Sequence, residues 1–122
     1  MFTKTKLAIS ALAALAVITV AMHTHASPLG GSWCRKGSVD GGRFENYSEY
    51  FQAGQIAVVA MHGDGYTDLD LYIYDEFGNL IEADTSGGDT CQVSFRPHWS
   101  GHFTIKVVNR GAGGNNYTIC VY

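Results

Sequence analysis

Between Leu69 and Tyr74 apolar and polar positions alternate strictly, with Leu69, Leu71 and Ile73 on one side of an extended backbone and Asp70, Tyr72 and Tyr74 on the other. A period of two residues marks a β-strand with one buried face. Gly63 and Gly65 precede this strand and Gly78-Asn79 follow it, supplying the backbone freedom at which a strand starts and reverses. The alternation recurs where Cys91, Val93 and Phe95 interleave with Gln92, Ser94 and Arg96, and where Phe103, Ile105 and Val107 interleave with Thr104, Lys106 and Val108. Pro97 stops the first of these strands, because proline cannot donate to a ladder, and Gly101 opens the turn before the second. Residues 56–61 form a nearly continuous apolar run between Gly54 and Gly63; its brevity and valine content favour a strand over a buried helix. Residues 80–83 complete a hairpin with the Leu69–Tyr74 strand, Tyr50-Phe51 ends a strand at a turn, and residues 117–122 close the chain after a glycine-rich loop at 109–116.

Residues 27–48 are the least regular part, with Gly30-Gly31, Gly37 and Gly41-Gly42 among few apolar positions. They read as an N-terminal arm holding a short strand at 43–47. About seven to eight short antiparallel strands, glycine-rich turns at regular spacing and no helical stripe predict an all-β chain, a single β-sandwich over residues 49–122. No repeat of solenoid period is present.

The first 26 residues read as an address. Lys4 and Lys6 form a positive start, residues 7–21 are apolar, and His23-Thr24-His25-Ala26 ends on the small residue that a signal peptidase requires. The apolar run is shorter than the roughly 20 residues that span a bilayer, so a signal peptide cleaved after Ala26 is expected, with no membrane association afterwards. A lipid anchor is disfavoured because Trp33 precedes the first cysteine, Cys34, where a small residue is needed. The expected compartment is the periplasm or the exterior. The whole chain has a net charge of −3, and the leader removes two of its eight basic residues and none of its eleven acidic ones. An acidic mature domain argues against nucleic acid and anionic lipid as partners.

Three cysteines, Cys34, Cys91 and Cys120, lie in the exported part, where disulfides persist. Cys91 keeps step with the inward Val93 and Phe95, whereas Cys120 is out of step with Tyr117, Ile119 and Val121 and points outward. An inward and an outward thiol meet poorly, so Cys34–Cys120 is the expected pair, with Cys91 a buried free thiol. Strand ends twist, and Cys91–Cys120 remains the open alternative.

The blocks Phe51-Gln-Ala-Gly-Gln55, Gly63-Asp-Gly-Tyr-Thr-Asp-Leu-Asp-Leu-Tyr-Ile-Tyr-Asp75, Gly78-Asn-Leu-Ile81, Val93-Ser-Phe95 with Pro97, and Gly101-His-Phe-Thr-Ile105 followed by Val107-Val-Asn-Arg-Gly111 together resemble the bacterial pre-peptidase C-terminal domain. The resemblance covers residues 50–121 and implies a β-sandwich of jelly-roll type. Domains of that family usually follow the catalytic domain of secreted peptidases, and relatives in collagenases bind collagen and calcium. Here a signal peptide and a short arm precede the domain, so it is expected to stand alone. Tyr66 stands where the family often has an aspartate.

Asp64, Asp68 and Asp70 are the densest carboxylate cluster, with Asp75, Glu76, Asp84 and Asp89 on nearby turns. Calcium takes six to eight oxygen ligands from a flexible loop, which makes this trio the candidate metal site and calcium the candidate cation. The spacing is not that of an EF-hand. The competing reading has Asp64 and Asp68 bonding to turn backbone and Asp70 facing solvent. Tyr72 and Tyr74 share the outward face with Asp70, and with Tyr66 and Trp99 in turns they make a candidate ligand face for a sugar or a protein. Coverage by the arm, or plain cross-strand packing, is the alternative.

His98 and His102 fall in a turn set by Pro97 and Gly101, so their spacing does not carry the helical metal argument, and His62 simply ends a strand. No G-x-S-x-G is present, Cys91 lacks a thiol-protease signature, and residues 109–116 lack the Gly-Lys-Ser/Thr of a phosphate loop. The sequence therefore points away from an enzyme and from a resident cofactor other than calcium. It points toward an exported module for an extracellular protein or polysaccharide. A passive accessory protein is the alternative, and a small hydrolase or peptidase inhibitor a third reading.

Overall fold

A computed structural model describes residues 31–122, in which eight strands and no helices occur. The leader at 1–26 and the first residues of the arm lie outside this range. In chain order the strands are β1 (Trp33–Val39), β2 (Phe44–Phe51), β3 (Ala57–His62), β4 (Leu69–Tyr74), β5 (Leu80–Asp84), β6 (Thr90–Phe95), β7 (Gly101–Asn109) and β8 (Asn115–Val121).

Strands pair from the two ends of the chain inward: β1 with β8, β2 with β7, β3 with β6 and β4 with β5, all antiparallel. The further pairs β3–β8 and β4–β7 complete two four-stranded sheets of order β1-β8-β3-β6 and β2-β7-β4-β5. Nested pairing of this kind, shared between two sheets, is the jelly roll that the resemblance implied. Alternate residues of both sheets form one core, with Val59, Ile119 and Val121 from the first and Leu71, Ile73, Ile105 and Val107 from the second all fully buried. Each such side chain contributes about 1.5–3 kcal/mol through its removal from water.

The arm is where expectation and structure part. Residues 33–48 form β1 and most of β2, one strand for each sheet, and Tyr50-Phe51 is the end of β2 rather than a separate strand. Both are edge strands, and β1 hides its inward face because a neighbour fills it. A β-carbon on Gly37 would lie 2.5 Å from Tyr117 Cζ and 2.7 Å from the Tyr47 hydroxyl. Those two tyrosines, joined hydroxyl to hydroxyl at 2.7 Å, occupy the space that an apolar side chain of β1 would otherwise take.

The β1–β8 register sets Cys34 directly opposite Cys120, and the two form the expected disulfide. Cys120 shares the outer face with Ala60, whereas Cys91 neighbours Met61 on the inner face, so the alternative pairing with Cys91 is not formed. Cys91 is a buried free thiol whose Sγ donates to the Leu69 carbonyl at 3.1 Å. Burial foremost, then the charges of Asp84, Asp70, Asp68 and Asp89, pushes it up to about 12.

Candidate functional site

The acidic turn before β4 is built around a buried amide. Asn115 is fully buried at the start of β8. Its Nδ2 donates to Asp89 Oδ2 and to Thr67 Oγ1, both at 3.0 Å, and its Oδ1 accepts from the Asp64 backbone N–H at 3.2 Å. Asp89 Oδ2 also accepts the Gly65 N–H at 2.6 Å. The hydrogen bond from Asn115, outweighing burial, holds the Asp89 carboxyl below its usual range, with Gly65 and His62 assisting. Gly63 is required here for space, since an added β-carbon would collide with Asp89 and Asn115, while Gly65 takes a φ of +88°.

Asp64 uses both carboxylate oxygens on backbone: Oδ2 accepts the Asn116 N–H at 2.8 Å and Oδ1 the Tyr66 N–H at 3.2 Å. Asp70, expected to face solvent in the competing reading, lies on the outer face of its sheet and is nevertheless buried, 6% exposed. Arg110, at the end of β7, covers it, donating from Nε to Asp70 Oδ2 at 2.8 Å. Asp68 Oδ1 and Asp70 Oδ1 are buried without a hydrogen-bond partner. Those two oxygens fall well short of a calcium shell, and among the described residues no group of three or more His, Cys, Asp or Glu side chains converges. The donor set does not fit calcium: Asp64 is engaged by backbone, a guanidinium already neutralises Asp70, and Tyr66 is exposed in the turn.

The four candidate aromatics separate. Tyr66 is 84% exposed beside the acidic turn, and Trp99 lies by the opposite end of β4, 6.4 Å from Phe77 of the β4–β5 turn. Trp99 and His98 border a separate depression of about 320 Å3 between β5 and the β6–β7 loop. Tyr72 and Tyr74 remain together, their ring centroids 6.2 Å apart and their planes 21° from parallel. Alternation places both on the outer face of the β2-β7-β4-β5 sheet, where the register sets Lys106 beside Tyr72 and Thr104 beside Tyr74.

Sequence reasoning missed the groups around this pair. Arg110 Nη2 donates to the Tyr72 hydroxyl at 2.8 Å while its Nε holds Asp70, which fixes the guanidinium in place. These bonds, led by that to Asp70, raise the Arg110 pKa further. Lys106 Nζ sits 4.3 Å from the centre of the Phe44 ring, a cation–π contact, and Phe44 is 54% exposed. Arg43 completes a depression of about 340 Å3 with these residues. Their shared outward parity was visible for Lys106, but its adjacency to Tyr72 depends on the β4–β7 register, which no local pattern encodes.

The histidines do other work. His62 Nδ1 lies 2.8 Å from Thr90 Oγ1 in a cross-strand pair on the other sheet, and His102 packs edge-on against Tyr50 at 5.3 Å.

Fold and site together define a disulfide-stapled jelly-roll module with an aromatic, cation-flanked outer sheet. No protein-family model matches the chain, and no curated protein does. Solved structures share its fold. The pre-peptidase C-terminal domain of a Bacillus anthracis collagenase superposes with a TM-score of 0.60 at 14% identity, covering 75% of this chain and 89% of that one. The Aeromonas hydrophila PliG, a periplasmic inhibitor of g-type lysozyme, gives 0.58 at 18% identity, covering 74% and 83%. The Yersinia pseudotuberculosis-derived mitogen gives 0.62 at 13% identity, covering 77% and 85%. At these identities the likeness is one of fold, and the fold is that of the pre-peptidase C-terminal domain that the sequence resembles.

Proposed function

We propose that this chain is an exported, non-catalytic β-sandwich module that binds an extracellular protein or polysaccharide through the Tyr72–Tyr74 face. The observation that carries this reading is the stacked tyrosine pair on the solvent side of an interior strand, 6.2 Å between centroids, with its hydroxyl end pinned by Arg110. The interior strand fixes the backbone under both rings, Arg110 holds the Tyr72 hydroxyl and Tyr74 stacks on Tyr72, so the pair is partly pre-organised and less ordering entropy is lost when a ligand settles on it. The described part of the arm, residues 31–48, does not cover it, because β1 joins the other sheet and β2 lies beside β7 at the edge. Export is supported by the leader pattern and by a disulfide of the kind that survives outside the cytosol. Proteins of the same fold whose names state a pre-peptidase C-terminal domain of a collagenase and a periplasmic inhibitor of g-type lysozyme support a role in recognition rather than catalysis.

The test is retention of the mature chain on a panel of immobilised polysaccharides and extracellular proteins, compared with Tyr72→Ala and Tyr74→Ala. Each substitution is expected to weaken binding about 30-fold, the loss seen for an aromatic anchor, while the fold stays intact. Retention that does not depend on either tyrosine refutes the reading. Dose-dependent inhibition of a g-type lysozyme by the wild-type chain, unaffected by both substitutions, would move the function to another surface and to the inhibitor class.

A further inference from the structure

The charges around the tyrosine pair are sorted by face. Three of the eight basic residues of this acidic chain, Arg43, Lys106 and Arg110, line the one depression that holds Tyr72, Tyr74 and Phe44. Carboxylates of the same sheet lie on its other side. Glu45 and Glu49 of β2 pair with Val107 and Phe103, and Asp84 and Glu82 of β5 pair with Leu71 and Ile73, all four partners being core residues. Since partners in register share a face, those four carboxylates are directed away from the tyrosines. Asp70 is the exception, and it lies beneath Arg110 in the only ion pair among the described residues. Lys106 and Arg43 line the same depression as the aromatic rings, and among the described residues neither makes an ion pair.

We propose that the ligand of this face is an acidic polysaccharide, with a sugar ring on Tyr72 and Tyr74 and its carboxylate or sulfate groups on Lys106 and Arg43; this rests on the binding function proposed above. The chemistry of each part fits such a ligand. Two nearly parallel tyrosine rings offer the flat π surface on which the C–H face of a pyranose packs, and their hydroxyl ends remain polar. The Lys106 ammonium is held by the Phe44 ring rather than by an anion, so an incoming anion gains a charge contact without displacing a protein carboxylate. Arg110 is clamped at Nε and Nη2, which makes it a rigid wall and leaves its side chain 53% exposed. Outward positions beside the platform are Asn46, Ser48 and Thr104, amide and hydroxyl groups suited to sugar hydroxyls. The depression exposes more polar than apolar surface, and that favours a glycan over a protein, whose interfaces centre on apolar anchors.

Binding is to be measured by titration calorimetry with two pairs of polymers, polygalacturonate against its methyl ester and dextran sulfate against dextran. The first pair isolates a carboxylate, the second a sulfate. At least one acidic polymer is expected to bind about tenfold or more tightly than its neutral counterpart, with an affinity that falls as salt rises. Lys106→Gln and Arg43→Gln are each expected to weaken that binding about 3-fold to 10-fold and to flatten the salt dependence, and both are surface changes that leave the melting temperature in place. Tyr72→Ala must also weaken it, which separates a built site from charge attraction alone. Equal binding of charged and neutral polymers, with the tyrosine dependence kept, overturns the acidic ligand and spares the tyrosine face. Binding of acidic polymers that ignores Tyr72→Ala overturns it as well. If none of the four polymers binds, the acidic-glycan inference falls, and tyrosine-dependent retention of an extracellular protein then decides whether the broader reading stands.

Discussion

Removing the Cys34–Cys120 disulfide, by Cys34→Ser with Cys120→Ser, puts the largest single number on this fold. The bridge closes 86 residues of sequence, nearly the whole domain, so in the chain-entropy picture it constrains the unfolded state by about 4.6 kcal/mol at 25 °C. Small domains retain only about 5–15 kcal/mol in total, which makes that a third of the stability or more. The native side changes little, because β1 still has seven register pairs with β8 and Trp33 still packs on Tyr47 and donates to Glu49 at 2.8 Å. The loss is therefore expected almost entirely through the unfolded chain, as a lower urea midpoint with a steeper slope in the variant, whose uncrosslinked unfolded chain exposes more surface, and as a melting temperature lower by about 20 °C or more. Trp33, at the end of β1, makes fluorescence a direct monitor. A loss below about 1 kcal/mol refutes the reasoning, because it would mean that the unfolded chain already holds its two ends together.

Asn115→Asp sets a second carboxylate against Asp89 Oδ2 in a fully buried position, and is expected to cost about 3 kcal/mol at neutral pH with partial recovery of the melting temperature as pH falls toward about 4 and one of the pair protonates. A variant that melts like wild type at pH 7 would show that the amide does not organise the acidic turn. Cys91, pushed up to about 12 and buried, is expected to resist iodoacetamide at pH 8 in the folded protein and to react promptly in urea; mass spectrometry that finds it alkylated under native conditions contradicts the inward placement. With Asp64 engaged by backbone and Asp70 paired with Arg110, the melting temperature is expected to be the same in excess calcium and in EDTA, and a rise of several degrees with calcium would restore a metal to the turn.

What the sequence revealed and what it hid divide along a physical line. Parity is local: Leu69, Leu71 and Ile73 must go to one side of β4 whatever lies around them, and the strand starts and ends where the pattern says, Leu69–Tyr74. The same rule separated Cys91 from Cys120 and so pointed to the observed disulfide. Parity fails where a neighbour does the burying. In β1 the inward Gly37 gives its space to Tyr117 from the far end of the chain, so the strand shows no apolar stripe and reads as an arm. Asp70 was correctly assigned to the outer face, but outer does not mean wet, and the residue that covers it is 40 positions away in sequence.

The candidate site follows the same division. Tyr72 and Tyr74 are legible as a pair because they are two apart on one strand, whereas Tyr66 and Trp99, grouped with them by residue type alone, sit at opposite ends of it. Lys106 and Phe44 come from elsewhere in the chain and meet the tyrosines only through the β4–β7 and β2–β7 registers, and Arg43 reaches the same depression from the turn before β2. Net charge conceals the result further, since a chain at −3 reads as uniformly acidic although register directs four of its carboxylates to one side of a sheet and three of its cations line a depression on the other. An overall charge can exclude a partner that needs a basic protein, such as nucleic acid, but it cannot exclude one that needs a basic strip a few residues wide. On the acidic-polysaccharide proposal, the domain's overall charge would repel polyanions at a distance and the strip would hold one only where a sugar ring also stacks, so the tyrosines would set the specificity and the two free cations the choice of charged over neutral sugar.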